Sequence, residues 1–219
     1  MKTICVIAAY NDAQYIGRVV NDAKKLVDEV IVVNDGSSDE TVRLAREAGA
    51  LVATLAINRG QGSALRLGTR LALDRGAEII IHFDGDGQFQ AKDLPKFIQV
   101  LEAGQAEMVL GSRFIDHSTM MPATKKYLLM PLARFFNSLF GIQLTDPQSG
   151  FRAFSRASAA KLNWQQDRMA HCTEILHLAH SAGLVIVEVP ITVIYHQYGQ
   201  KLSGGLKIIS DTLLAKLNK

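Results

Sequence analysis

The run Ile79-Ile80-Ile81-His82-Phe83-Asp84-Gly85-Asp86-Gly87-Gln88 restricts the fold more than any other stretch, because an apolar segment stops abruptly at two carboxylates. The apolar part is short, rich in β-branched residues and followed by glycines, which predicts a buried strand over Glu78–Phe83. Asp84 and Asp86 then fall just past the carboxyl end of that strand, where open α/β sheets place their ligands. Alternate residues of an extended segment point the same way, so Asp84 and Asp86 can face one point, with Gln88 continuing the series. Two carboxylates and an amide oxygen suit a hard divalent cation such as Mg²⁺ or Mn²⁺. A solvated Asp-Gly turn accounts for the same spacing equally well.

The preceding chain alternates strand and helix signals. Strands are predicted over Thr3–Ala9, Glu29–Asn34 and Leu51–Leu55. Helices are predicted over Ala13–Leu26, with Ile16, Val19, Val20, Ala23 and Leu26 on one stripe, and over Glu40–Ala48 and Gly60–Arg75. Ser38 or Asp39 can cap the second helix and Gly49 can stop it. Units of this length predict a doubly wound, mostly parallel, Rossmann-like α/β sheet flanked by helices. Further on, Asp93–Leu101, Lys125–Phe140, Thr173–Ser181 and Gly205–Leu217 read as helices. Met108–Ser112, Gly150–Phe154 and Val185–Val193 read as strands, the last carrying Pro190 and so expected at an edge. Asp116–Ala123 and Tyr195–Gly205 read as loops. With 219 residues and no long linker, one domain is expected.

Composition narrows the function classes. Hydrophobic residues make up 48% and charged residues 21%, as in soluble globular proteins. The net charge of +3 is mild and the basic residues are scattered, so nucleic acid is not an expected partner. Cys5 and Cys172 lack metal-ligand spacing, and a reduced core thiol is expected for Cys5. The first residues enter a strand directly, without a secretory signal, and no uncharged run reaches the length of a membrane span. A cytoplasmic location is expected. His82 is expected to be a satisfied core histidine, and Trp164 a packing residue.

In a parallel sheet the strands' carboxyl ends share one edge. The segments Ala8-Ala9-Tyr10-Asn11-Asp12, Asn34–Asp39 and Asn58–Ala64 therefore meet the Asp84/Asp86 turn. Tyr10 could stack on a base and Asp35 could accept from a base N–H. Each segment alone is also an ordinary capped turn. No Gly-Lys-Ser/Thr follows the glycines, so this is not a P-loop.

The ordered set Ala-Tyr-Asn-Asp (9–12), Asn-Asp-Gly-Ser-Ser-Asp (34–39), Asn-Arg-Gly (58–60), Asp-Gly-Asp-Gly-Gln (84–88), Gly-Ser-Arg-Phe (111–114), Gln-Ser-Gly-Phe-Arg (148–152), Thr-Glu-Ile (173–175) and Glu-Val-Pro-Ile (188–191) resembles glycosyltransferase family 2. Within that family it is most similar to the dolichyl-phosphate mannosyltransferase and bacterial polyprenyl-phosphate branch. The resemblance implies a single GT-A domain, with a nucleotide-sugar half over 1–114 and an acceptor half over 115–219. It implies inverting, metal-dependent transfer from a UDP- or GDP-sugar to a polyprenyl phosphate. A saccharide acceptor in polysaccharide synthesis, or an inactive nucleotide-sugar-binding subunit, are the alternatives.

By the same resemblance, Ala9, Tyr10, Asp12, Asp35, Asn58, Gly60, Gly85, Lys201 and Ser203 would hold the nucleotide sugar together with Asp84 and Asp86. The metal would sit on Asp86 and Gln88, with Asp84 steadying the ribose or a metal-bound water. Arg113, Gln148, Ser149 and Arg152 would face the acceptor, Glu174 would lie near the transferred sugar, and the Tyr198–Gly205 loop would close over the donor. A hydroxyl acceptor would need a base, and Glu174 or Asp146 is the first choice. Ala8, Asp12 and Gln61 depart from the family's usual Pro, Glu and basic residue. The carboxy-terminal transmembrane helices of many relatives are absent, so a membrane-protein partner could supply them. Lys125–Phe140 reads either as a core helix or as an interfacial one, giving peripheral contact with the inner face of the membrane.

Overall fold

The computed structural model describes residues 1–115 and 144–194. Seven strands form one sheet in the order β3-β2-β1-β4-β6-β5-β7. They are β1 (Thr3–Ala9), β2 (Glu29–Asn34), β3 (Leu51–Thr54), β4 (Ile79–Asp84), β5 (Met108–Ser112), β6 (Arg152–Ser155) and β7 (Ile186–Pro190). Between them lie α1 (Ile16–Ala23), α2 (Thr41–Glu47), α3 (Gln61–Asp74), α4 (Leu94–Glu102), α5 (Arg156–Lys161) and α6 (His171–Ser181). A 3-10 turn over Ala91–Asp93 leads into α4.

The apolar runs form the strands because both faces of the sheet are covered. One apolar cluster joins Cys5, Ile7, Ile79, Ile81, Phe83, Phe151 and Ala153 to Ile16 and Val20 of α1 and Leu94 and Phe97 of α4. The other joins Ile4, Val6, Ile80, Met108 and Phe154 to Ala64 and Leu65 of α3 and Ile175 and Leu176 of α6. Continuous rather than alternating hydrophobicity is what a sheet buried on both faces requires. Phe97 stacks on Phe151 with centroids 4.0 Å apart and planes 12° apart.

Register fixes the functional edge. Ala9 pairs with Asn34 and Ala8 with Asp84, so β1, β2 and β4 end level. β6 departs from the parallel pattern, running antiparallel to both β4 and β5. Its first residue, Arg152, pairs with His82 and Leu110. The residues just before β6 therefore arrive at the same edge where β4 and β5 finish. Pro190 lies in β7, at one end of the strand order, as expected.

Differences from expectation are local. α1 is shorter than Ala13–Leu26, because residues 13–15 and 24–26 form turns at its two ends. α2 begins at Thr41; Asp39 Oδ1 accepts from the Thr41 amide at 3.0 Å, and Gly49 follows with φ +86°. α5 was not anticipated, being only six residues long; it opens on Ser155, whose Oγ accepts from the Ser158 amide at 3.2 Å. His82 is a core residue, with Nε2 2.8 Å from Thr69 Oγ1 and its ring edge-on to Phe154 and Trp164. Trp164 is buried and donates to the Gly62 carbonyl at 2.9 Å. Cys5 is a buried free thiol. The segments 116–123, Lys125–Phe140, Tyr195–Gly205 and Gly205–Leu217 lie outside the described residues.

The close approach of α3 to the sheet depends on Gly68, where a Cβ would stand 2.2 Å from Val6 Cγ1. Gly68→Ala is expected to destabilise the protein by about 1–3 kcal/mol. At Gly17 in α1 a Cβ meets nothing within 4 Å. Gly17→Ala is expected to be neutral or stabilising by up to about 1 kcal/mol. Urea unfolding of the two variants checks both signs.

Candidate active site

A cleft of about 320 Å³ opens at the carboxyl edge of the sheet. Its wall includes Ala8 and Ala9 at the end of β1 with Tyr10 and Asp12 beyond it, Asp35 after β2, and Asp84, the last residue of β4, with Gly85, Asp86 and Gln88 beyond it. Arg113, Gln148 and Gly150 join them from the second half of the chain. The structure thus brings together most of the residues the sequence singled out.

Each acidic side chain is fixed by a neutral donor. Asp12 Oδ2 accepts from the Tyr10 amide at 3.0 Å. Asp84 Oδ1 accepts from Gln61 Nε2 at 2.6 Å. Asp86 Oδ1 accepts from the Gln88 amide at 2.9 Å. Gly85 permits the crowding, since a Cβ there would meet Asp12 Oδ2 at 2.9 Å. The charges oppose one another. Burial, then the Asp86, Cys172 and Asp12 charges, hold Asp84 well above the ordinary carboxylate range, and Arg152 only partly opposes this. Burial, reinforced by Asp86 and Asp39, lifts Asp12 to about 6 despite the Tyr10 amide.

Asp35 is buried and accepts from the amides of Arg59 and Gly60 at 2.8 and 2.7 Å. It shapes the 58–60 loop as well as the cleft. Asn58 is exposed and does not line the cleft. Gly60, with φ +111°, is pressed against residues 167 and 168, where a Cβ would come 2.6 Å from the Asp167 carbonyl oxygen.

The second-half residues are redistributed. Arg113 reaches the wall, but its Nε and Nη2 lie 2.6 and 2.7 Å from the two oxygens of fully buried Asp146. Asp146 is therefore committed to a two-point ion pair and is not the general base considered above. Glu188 of β7 supports this loop, accepting from the amides of Thr145 and Asp146 at 2.8 Å each.

Arg152 does not face the cleft. Side chains alternate along β6, so Phe151 and Ala153 enter one apolar layer while Arg152 and Phe154 point to the other side. Arg152 is 1% exposed, and its Nε donates to the Ser149 carbonyl at 2.8 Å. Ser149 is also buried and off the wall. Glu174 is off the wall too, its carboxylate accepting from the amides of Gln165 and Gln166 at 3.0 and 2.8 Å. Lys201 and Ser203 lie outside the described residues.

Gln61 and Gly150 are on the wall, within the segments 58–64 and 148–152 that the sequence brought to the site, whereas sequence reasoning missed Phe89, Met169, Cys172 and Val193. Starting α6 at Thr173 hid Cys172, which sits in its first turn. Burial disfavours the Cys172 thiolate, but the charges of His171 and Arg152 outweigh burial and bring the thiol down to about 6. His171 Nε2 is 3.6 Å from the sulfur.

The acidic cluster has the chemistry of a divalent-cation seat. Asp84 and Asp86 would supply carboxylate oxygens and Gln88 an amide oxygen; burial first, and then the neighbouring charges, raise the pKa of Asp12 and Asp84. Among the described residues no three His, Cys, Asp or Glu side chains form a metal cage. Mg²⁺ is commonly held by one or two carboxylates plus water and substrate phosphates. Among the described residues, no helix is long and apolar enough to cross a membrane.

A family model described as glycosyl transferase family 2 matches residues 4–162. A UDP-N-acetylglucosamine–dolichyl-phosphate N-acetylglucosaminyltransferase of Methanococcus voltae is 34% identical over 240 residues, covering 98% of this chain and 96% of that protein. An undecaprenyl-phosphate mannosyltransferase of Micrococcus luteus is 26% identical over 219 residues, covering 94% and 89%. The fold is shared with glucosyl-3-phosphoglycerate synthase of Mycobacterium tuberculosis in complex with Mn²⁺, UDP-glucose and phosphoglyceric acid. That match has a TM-score of 0.76 at 22% identity and covers 97% of this chain and 78% of that one.

A carboxyl group raised in the folded state stabilises it below the unfolded value and loses that contribution as pH climbs through the folded one. In metal-free buffer, the stability of wild type relative to Asp12→Asn is expected to fall between pH 4 and about 6, by up to about 3 kcal/mol. Urea unfolding in chelator across that window checks it. A flat or rising difference contradicts the assignment.

Proposed function

Since the chain belongs to glycosyl transferase family 2, we propose that it moves a sugar, with inversion, from a UDP- or GDP-sugar to a polyprenyl phosphate with the help of Mg²⁺ or Mn²⁺. The observation that carries this reading is the cluster of Asp12, Asp84 and Asp86 on one wall of the cleft. A diphosphate would not enter beside three carboxylates without a cation. Arg113 is already committed to Asp146, so it offers limited compensation.

Tyr10, half-exposed at the rim, would stack on the base, and Asp35 and Asp12 would face the nucleoside. Asp84, Asp86 and Gln88 would hold the metal. When bound, the metal neutralises charge developing on the departing diphosphate. Gln61 positions Asp84 through its 2.6 Å hydrogen bond. Arg113 and Gln148 would orient the acceptor side, so that donor and acceptor meet in line.

A phosphate acceptor is favoured over a saccharide hydroxyl by one observation. An acceptor phosphate is already anionic, whereas a hydroxyl needs a base. Neither Asp146, closed by Arg113, nor Glu174, off the wall, offers one. The named activity of the methanogen relative supports a lipid phosphate. A lipid acceptor would place the protein at a membrane surface. Lys125–Phe140, with two lysines ahead of an apolar and aromatic stretch, is the segment whose sequence suits that contact.

Transfer to a short polyprenyl phosphate, assayed with Mn²⁺ or chelator across UDP- and GDP-sugars, tests the reading. Activity is expected only with metal, and Asp86→Ala should lower it about a hundredfold or more. Undiminished activity in chelator or in Asp86→Ala would overturn the site assignment. Flotation with anionic liposomes should retain the protein, with Lys125→Glu plus Lys126→Glu weakening retention.

A further inference from the structure

Asn11 is the one non-glycine residue with a positive φ, +55°, among the described residues. Left-handed backbone is disfavoured for a residue that carries a Cβ, so it persists only where the surroundings hold it. Asn11 is exposed and does not line the cleft, but its two neighbours, Tyr10 and Asp12, both do.

The bend is held from the loop after β2. The consecutive amides of Asn11, Asp12 and Ala13 donate to Ser37 Oγ, Thr41 Oγ1 and Asp39 Oδ2 at 2.9, 2.8 and 3.1 Å. In return, the Ser38 amide donates to Asn11 Oδ1 at 2.9 Å. The loop that supplies these partners is itself seated on the sheet, since the Ser37 amide donates to Oδ1 of buried Asn34 at 3.0 Å. None of Ser37, Ser38, Asp39 and Thr41 lines the cleft. The bonds that start α1 run from the Tyr15 and Ile16 amides to the Asp12 carbonyl, and Asn11 takes no part in them. With Asn11 bent in this way, Asp12 Oδ2 reaches back to the Tyr10 amide at 3.0 Å. The Tyr10 ring stays half-exposed at the rim.

We propose that Asn11 is a positioning residue for the nucleoside: its left-handed backbone, tied to Ser37 and Ser38, sets the Tyr10 ring against the base and turns Asp12 into the cleft. The inference rests on the donor-site reading above and adds to it a residue that touches no ligand.

The test is calorimetric titration of UDP, GDP and inorganic pyrophosphate into the full chain with Mn²⁺. Asn11→Ala loses both the side-chain tie and the tolerance for left-handed backbone, and should raise the Kd of the preferred nucleotide about tenfold. Asn11→Gly adopts the same backbone freely and loses only the tie, so it should raise Kd less than Asn11→Ala does. Ser37→Ala, which removes the acceptor of the Asn11 amide, should also weaken the nucleotide. The Kd for pyrophosphate, which has no base, should stay within about twofold of wild type in all three variants. An unchanged nucleotide Kd in Asn11→Ala would overturn the inference while leaving the donor site intact. Equal weakening of nucleotide and pyrophosphate would overturn it as well, because the loss would then belong to the whole cleft. Failure of both UDP and GDP to bind wild type would overturn the donor-site reading, and the inference with it.

Discussion

The burial of three carboxylates, Asp12, Asp84 and Asp86, close together at one edge of the sheet is the constraint on which the rest of the site depends. The sheet register places Asp84 level with Ala8, and the turns after β1 and β4 then bring the three carboxylates onto one wall. Asp12 accepts from the Tyr10 amide, Asp84 from Gln61 and Asp86 from the Gln88 amide. Burial first, and the neighbouring carboxylate charges after it, keep the pKa values of Asp12 and Asp84 raised. A cation bound there would offset the carboxylate charge.

The two halves of the chain are joined around this cluster by polar clamps. Asp167 receives Arg59 at 3.0 Å and Arg66 at 2.6 Å, and its carbonyl accepts from the Ser63 amide at 3.1 Å. Trp164 reaches back to Gly62, while Asp35 holds the Arg59 and Gly60 amides from the other side. The 58–63 segment is therefore gripped between Asp35 and the loop that leads into α6. Glu188 and Asp146 do the same for Arg113. Glu174 belongs to this framework, since it secures the 165–166 amides behind the wall.

Much of this was legible in the sequence where one physical rule dominated. Continuous apolar runs gave β2 and β5 to the residue, because burial on both faces leaves few alternatives. The placement of Asp84 and Asp86 followed from strand polarity alone. What could not be read was direction and facing in the second half. A four-residue strand such as β6 carries no mark of its orientation, and its antiparallel insertion decides that Gln148 and Gly150 reach the cleft. The period of two then turns Arg152 inward, so an arginine that composition presents as a phosphate ligand is buried behind the wall. Cys172 and Met169 carried no motif, and only the folded position of α6 and the turn before it reveals them.

The most direct test of the central claim is calorimetric titration of UDP and GDP into the protein at pH 6, with Mn²⁺ or with chelator, in two buffers of different ionisation enthalpy. If a cation relieves the carboxylate cluster and seats the diphosphate, at least one nucleotide should bind only with Mn²⁺, and binding should release protons from Asp12 and Asp84. Equal affinity in chelator, with no proton release, would contradict the account.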